Sequence, residues 1–567
     1  MRRSIWASLL LLGAAPVGAA LTQPSRTTEM PAELGAGGLP GRCDARLLRA
    51  AADGLQLERA EVIAAGSAWL SVRTPFKDLS TRTTLKNPAL LDTMLPEHCL
   101  IAGAFESRTG AGGKPYAIGF ELRVPLNWNG RLLFQGGGAY KGMVDPAIGL
   151  AVSSGSSADF ALADGFAVVT SDSGHAGTDI AFTQDQLARL NYAYASIGKV
   201  IRLAKLLVRE VAEKAPDHSY FAGCSNGGRE AMEAALRFPE EFDGVISANP
   251  ATDFSGASLS KWHAINAYAQ IAPKAADGST QPWLALTRAD WSTLSNGIVA
   301  QCDAADGLKD GLIFNHATCH FSPQSLQCRP GQTATCLAPA KVTAVTEAFR
   351  GPRSATGREV AYPWTYDASV DMPEWLDGQA GYVDASGKIV GRDNRLPSTT
   401  LTTLYRYPPV TPQTVLAERP EDTRAAMHEM EGLLNATQTQ LSSFSAKGGK
   451  LLLIHGWSDS RLPPEGLVRW YQRLGADMQA TGGGSADSFA RLFLVPGMTH
   501  CGGGRSLDDF DALKVLVDWT ENGRAPESFP ARGKSFPGLS RPICAYPRFA
   551  HYDGKGDPAS ASSFVCK

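Results

Sequence analysis

The chain has 567 residues, 44% of them hydrophobic and 19% charged, with a formal net charge of −2. At about 100–200 residues per domain, this length allows a large core with a substantial second region. With no basic excess to neutralise phosphates, nucleic acid is excluded as the main partner, and no single-sign charge run marks a solvated tail.

The chain opens "MRRSIWASLLLLGAAPVGAA", two arginines followed by a short apolar stretch that ends in small residues. This is the layout of a secretory signal peptide over residues 1–20, with cleavage near Ala19 or Ala20. The apolar run is shorter than the ~20 residues a membrane span requires, and no cysteine follows it to carry a lipid. The expectation is a secreted or periplasmic protein with no membrane partner. Ten cysteines then read as disulfide partners: Cys43, Cys99, Cys224, Cys302, Cys319, Cys328, Cys336, Cys501, Cys544 and Cys566. No C-x-x-C occurs, which weakens zinc and thioredoxin-like readings. The sequence does not fix the connectivity, but proximity along the chain favours Cys302–Cys319, Cys328–Cys336 and Cys544–Cys566.

From about residue 115 to 250, short apolar strands alternate with amphipathic helices. "GRLLFQGGG" and "GFAVVTSDSGH" read as buried strands, "ARLNYAYASIGKVIRLAKLLVREVAEK" as a long helix. "HSYFAGCS", "GREAMEAALRF" and "FDGVISANPA" then read as strand, helix and strand. This rhythm predicts an α/β protein with a parallel sheet and crossover helices. It breaks down over residues 253–440, where tryptophans, prolines and four of the cysteines are scattered without a period, and returns with "GGKLLLIHGWSDS" and "FARLFLVPGMTHCGGG". One sheet split by an insertion explains this better than two domains: residues 21–252 and 441–567 form the core, and 253–440 the insertion. "TGGGSADS" reads as a surface loop.

Gly223-Cys224-Ser225-Asn226-Gly227 fits G-x-S-x-G, the nucleophile elbow, which places a serine on a tight strand-to-helix turn. A serine hydroxyl needs a base to take its proton, and the base needs a carboxylate to hold its tautomer. In α/β-hydrolases the chain order is serine, acid, histidine. Asp459 and His500 follow in that order, each in the loop after a predicted strand, where open α/β sheets bind ligands. His455 lies inside a strand end and reads as a pocket-shaping residue. His175 precedes the serine and breaks the order. Cys224 adjoins Ser225 and Cys501 adjoins His500. If serine and histidine meet, these cysteines fall within disulfide reach, which leaves Cys43–Cys99 by elimination. The oxyanion donors expected are the backbone amides of Asn226, after the nucleophile, and Gly137, in the glycine-rich loop "FQGGGAYKG". That loop matches neither phosphate-binding glycine pattern.

"CDAADGLKDGLI" gathers Asp303, Asp306 and Asp310 with two glycines. Carboxylates at this spacing suit a structural Ca²⁺, completed by the carbonyls of Leu308 and Leu312. An acidic surface turn is the alternative, and the flanking Cys302 and Cys319 favour order.

Together, "SYFAGCSNGGRE", "FPEEFDGVISANPA", "CDAADGLKDGLI", "HGWSD" and "PGMTHCGGG" resemble the tannase and feruloyl esterase family. The resemblance implies an α/β-hydrolase fold with a large inserted lid, no organic cofactor, and a triad of Ser225, Asp459 and His500 tied by Cys224–Cys501. It also implies a lid Ca²⁺ on Asp303, Asp306, Leu308, Asp310 and Leu312, and the same five cysteine pairs. The implied substrate is a small-molecule ester of an aromatic acid: a gallate, a hydroxycinnamate or a terephthalate monoester. Terephthalate-cleaving members use a lid arginine, for which Arg392, Arg395 and Arg406 are the candidates here, and Asn226 stands where that type has a glutamate. Both points favour the broader aromatic esterase. The rivals are a non-catalytic binding protein on a hydrolase scaffold, which would usually have lost part of the triad, and a serine peptidase.

Overall fold

The computed structural model describes residues 42–49, 52–68, 90, 92–177, 180–391 and 398–567. The expected signal peptide, residues 1–20, lies outside them. Among the described residues no helix is long and apolar enough to cross a membrane.

The core is a nine-stranded sheet. Its strands are β1 Gln56–Ile63, β2 His98–Thr109, β3 Pro115–Pro125, β4 Arg131–Gln135, β5 Ala167–Ser171, β6 His218–Cys224, β7 Gly244–Ala248, β8 Lys450–Gly456 and β9 Ala490–Val495. They run in the order β1-β2-β3-β5-β4-β6-β7-β8-β9. From β5 to β9 every neighbouring pair is parallel. β1, β2 and β3 instead form an antiparallel flank joined to β5.

Parallel strands covered on both faces read as unbroken apolar runs, and β5 and β7 are buried throughout. Alternate residues feed two cores. Leu132, Phe134, Leu451 and Leu453 join one, Leu133, Leu452 and Ile454 the other. On the first face lie α1 Ser196–Ala212 and α2 Asn226–Arg237. In the insertion, α3 is Phe254–Ala269, α4 Arg288–Cys302, α5 Pro339–Arg350 and α6 Pro420–Leu434. After it come α7 Pro464–Ala480, on the first face, and α8 Ala512–Asn522, on the second.

The predicted helix before β6 is real, but a π turn at Asn191–Ala195 precedes α1. The antiparallel flank was not expected from the sequence. β1, "QLERAEVI", is a half-exposed edge strand whose charges hide any alternation. Between β7 and β8 the chain leaves the sheet. Tyr268, Trp291, Phe349 and Trp375 make one core of this excursion. A second cluster packs Leu259, Trp262 and Met430 onto Phe182 and Tyr192 of the sheet-bearing part. This is an α/β-hydrolase core with a large insertion. All five expected disulfides form, with Cα–Cα distances of 5.6, 6.0, 5.0, 4.9 and 5.8 Å in chain order of their first cysteines.

Candidate active site

Ser225 sits between β6 and α2 with φ 63° and ψ −121°, a backbone conformation that a non-glycine residue holds only when its surroundings enforce it. Its amide donates to the carbonyl of Ala248 at 3.0 Å, and its carbonyl accepts from Arg229 and Ala251, each at 3.1 Å. The flanking glycines have no room for side chains. A β-carbon on Gly223 would lie 2.5 Å from the carbonyl carbon of Gly227, and one on Gly227 would lie 2.9 Å from the carbonyl oxygen of Gly137. The pattern G-x-S-x-G is thus a packing requirement between the elbow and the loop after β4.

Asp459 follows β8 and is 2% exposed. Its Oδ2 accepts from His500 Nδ1 at 2.9 Å and from Asn249 Nδ2 at 2.8 Å. Its Oδ1 accepts from the amides of Arg461 and Leu462, at 2.8 and 3.1 Å. Burial opposes its charge, but the His500 and His455 rings beside it outweigh burial and hold the carboxyl well below the usual range. His500 follows β9, and the Cys224–Cys501 disulfide joins its neighbour to the neighbour of Ser225, with α-carbons 6.0 Å apart. Nδ1 faces the carboxylate, so Nε2 is the nitrogen left for chemistry.

His455 Nε2 lies 3.2 Å from the same Asp459 Oδ2 and 3.1 Å from the carbonyl oxygen of Leu462. Asp459 therefore serves two histidines, which the sequence reading missed. The i, i+4 spacing was the available signal, but a strand end followed by a turn gives it no fixed meaning. His175 stacks on Phe182, with ring centroids 3.9 Å apart.

The expectation for Gly137 is corrected. Its amide donates to Glu230 Oε2 at 3.2 Å and is not free, and the Gly136 amide bonds the Ala222 carbonyl. A β-carbon on Gly138 would meet nothing within 4 Å. Gly138 instead faces a cavity of about 350 Å³ that Gly137, Lys141, Ser225 and Cys501 also line. Asn226 begins α2, where a backbone amide has no carbonyl one turn back to bond. Its side chain is held in a buried network: Oδ1 accepts from Arg229 Nε at 2.8 Å, and Nδ2 donates to Glu230 Oε1 at 3.3 Å.

Of the three candidate arginines, Arg406 is buried and makes a double hydrogen bond to Glu418, at 2.8 and 3.0 Å. That pair holds it to another residue of the insertion. Arg392 and Arg395 lie outside the described residues.

In the acidic loop, Asp303 and Asp306 are buried, and burial raises both carboxyls, Asp306 to about 7, the charges of their acidic neighbours adding to the shift. Asp310 instead pairs with Arg541 at 2.5 Å. Among the described residues no three such side chains converge as metal ligands. Two buried carboxylates held only by backbone amides are donors that a hard cation would satisfy, while Asp310 is shared with Arg541.

The "Tannase and feruloyl esterase" family profile matches residues 99–567. Mono(2-hydroxyethyl) terephthalate hydrolase of Piscinibacter sakaiensis is 35% identical over 529 residues, covering 83% of this chain and 85% of that one. A probable feruloyl esterase of Arthroderma benhamiae is 29% identical, covering 78% of this chain and 81% of its own. Among solved structures, feruloyl esterase B from Aspergillus oryzae aligns with a TM-score of 0.73 at 23% identity, covering 94% of this chain and all of that one. Such a likeness supports the fold. With the profile spanning most of the chain, this protein belongs to the tannase and feruloyl esterase family and is a carboxylic ester hydrolase.

Proposed function

We propose that the chain is a serine esterase that cleaves esters of aromatic acids through an acyl-enzyme. The observation that carries this reading is the strained Ser225 elbow, bonded through Cys224–Cys501 to the residue after His500, whose Nδ1 faces Asp459. His500 Nε2 takes the Ser225 proton as Oγ attacks the ester carbonyl, and Asp459 stabilises the resulting imidazolium. The amides of Asn226 and Gly138 receive the oxyanion. The C–O bond then breaks, and the alcohol leaves with the proton from His500. Water, activated by the same histidine, attacks the acyl-enzyme and releases the acid and Ser225.

The aromatic acyl group is supported by the relatives, which are named for feruloyl and terephthalate esters. Five disulfides favour an oxidising compartment, in line with a secreted or periplasmic protein. We further propose a structural Ca²⁺ on Asp303 and Asp306, with the carbonyls of Leu308 and Leu312.

The test is a hydrolysis panel of methyl ferulate, methyl gallate, chlorogenate and mono(2-hydroxyethyl) terephthalate, with Ser225→Ala as blank. Cleavage of at least one by the native protein alone is expected. Cleavage of none defeats the aromatic reading, and activity retained by Ser225→Ala defeats the nucleophile assignment.

A further inference from the structure

Lys141 lines the cavity that contains Ser225, yet the chemistry above does not use it. The residue is 4% exposed, and its Nζ is buried with no hydrogen-bond partner. Its backbone is left-handed, φ 58°, which a lysine adopts at a cost. A turn holds it there, the Lys141 amide donating to the Gly138 carbonyl at 3.1 Å and the Gly142 amide to the Asp172 carbonyl at 3.1 Å. The side chain folds back over the glycine loop. A β-carbon on Gly137 would lie 2.0 Å from Nζ and 2.3 Å from Cδ and Cε. On the other side, Gly137 donates its amide to Glu230, so the loop is clamped between a buried cation and a buried anion.

Burying an unpaired ammonium is expensive, and an apolar side chain of equal length would fill the same space. What the lysine adds is charge. Burial raises Asp172 to about 7, and the charge of Lys141 opposes that rise. Burial lowers His175 to about 4, and Lys141 adds to that fall. Of the other ionisable groups here, Glu230 braces Gly137 and Asp145 lines the same cavity. None of these acids forms an ion pair with Lys141 among the described residues.

We propose that Lys141 is a positioning residue for ester hydrolysis, its buried ammonium fixing the Gly137–Gly138 segment and adding positive potential behind the point where the oxyanion forms. This rests on the Ser225 reading above. A charge that never touches substrate acts on the form with most negative charge on oxygen. That form is the transition state, so the effect falls on kcat rather than on KM.

The test compares Lys141→Met and Lys141→Arg with the native protein on one aryl ester. It reads kcat, KM, thermal melting and inhibition by phenylboronic acid, which forms a tetrahedral anion on a serine. Lys141→Met is expected to lower kcat about 10- to 100-fold, leave KM within about twofold, and weaken boronate binding to a similar degree. Lys141→Arg is expected to return kcat to within about fivefold of native. The proposal falls if Lys141→Met keeps kcat within about threefold, if KM rises in proportion, or if boronate affinity is unchanged. Should Lys141→Met not fold, Lys141→Gln is read the same way. If neither neutral variant folds, the lysine is structural and the proposal also falls. Ser225→Ala runs in the same assay: activity there defeats the nucleophile reading, whereas an inactive Ser225→Ala beside an unaffected Lys141→Met defeats only this one.

Discussion

Cys224 and Cys501 hold their α-carbons 6.0 Å apart across 277 residues of sequence. One immediately precedes Ser225 and the other immediately follows His500, so the bond fixes the Ser225 loop against the His500 loop. Replacing both cysteines by serine removes that constraint and frees the unfolded chain. The expected loss is about 3–5 kcal/mol, the upper range for closing so long a loop, with kcat falling at least tenfold. Urea unfolding and initial rates on the double variant check both.

Asp459→Asn keeps the shape of the acid but allows its amide to face His500 with a donor, which spoils the tautomer. A fall in kcat of about 10³–10⁴-fold is expected, with the melting curve little changed. His455→Gln, which touches the same carboxylate from the other side, is expected to cost less than about tenfold. If His455→Gln instead cost about 10³-fold, His455 rather than His500 would be the base.

Gly227→Ala places a methyl group 2.9 Å from the Gly137 carbonyl oxygen and 3.0 Å from the Gly136 carbonyl carbon. Both are backbone atoms of the loop after β4 and have no rotamer to give way. The expected cost is about 1–3 kcal/mol of overpacking, together with loss of most activity. An active Gly227→Ala enzyme would show that the loop after β4 can move away from the elbow.

His98 is fully buried, and burial pulls its pKa down from 6.5 to about 4, with a contribution from the charge of Arg123 beside it. The folded protein therefore binds fewer protons at His98 than the unfolded chain between those values. Its contribution to stability is complete above pH 6.5 and is lost as pH falls towards 4. The size is roughly 3 kcal/mol for a shift of this extent. His98→Gln is expected to flatten the dependence of Tm on pH across that window, measured by thermal melts from pH 4 to 8.

Adding Ca²⁺ to chelator-treated protein is expected to raise Tm by several degrees, an effect of mass action on the folded state. Asp306→Asn should abolish the response, because it removes one of the two buried carboxylates available to the ion. A Tm indifferent to Ca²⁺ would make the loop an acidic turn stapled by Cys302–Cys319.

The legible parts of this molecule were those with local signatures. β4 to β9 are apolar runs that end in glycine or polar loops, and the nearness of Asp459 to His500 and the Cys224–Cys501 bond were marked by order, strand ends and adjacent cysteines. What stayed hidden depended on partners far along the chain. Gly137 loses its amide to Glu230, 93 residues later, so only the fold reveals that Gly138 is the exposed glycine. Asp310 turns to Arg541, 231 residues later, which no spacing in the acidic loop reports. The flank of β1 was hidden because both its faces are partly wet.

β8 and β9 follow the insertion in the sequence and close one edge of the sheet, with a consequence for how the molecule comes into being. A ribosome that has delivered β6 and α2 has made the serine elbow, but Asp459 and His500 remain unmade until the whole insertion has followed. On the proposed mechanism, His500 and Asp459 reach Ser225 only once β8 and β9 have docked beside β7. A chain that lacks β8 and β9 would then carry Ser225 as an unactivated alcohol.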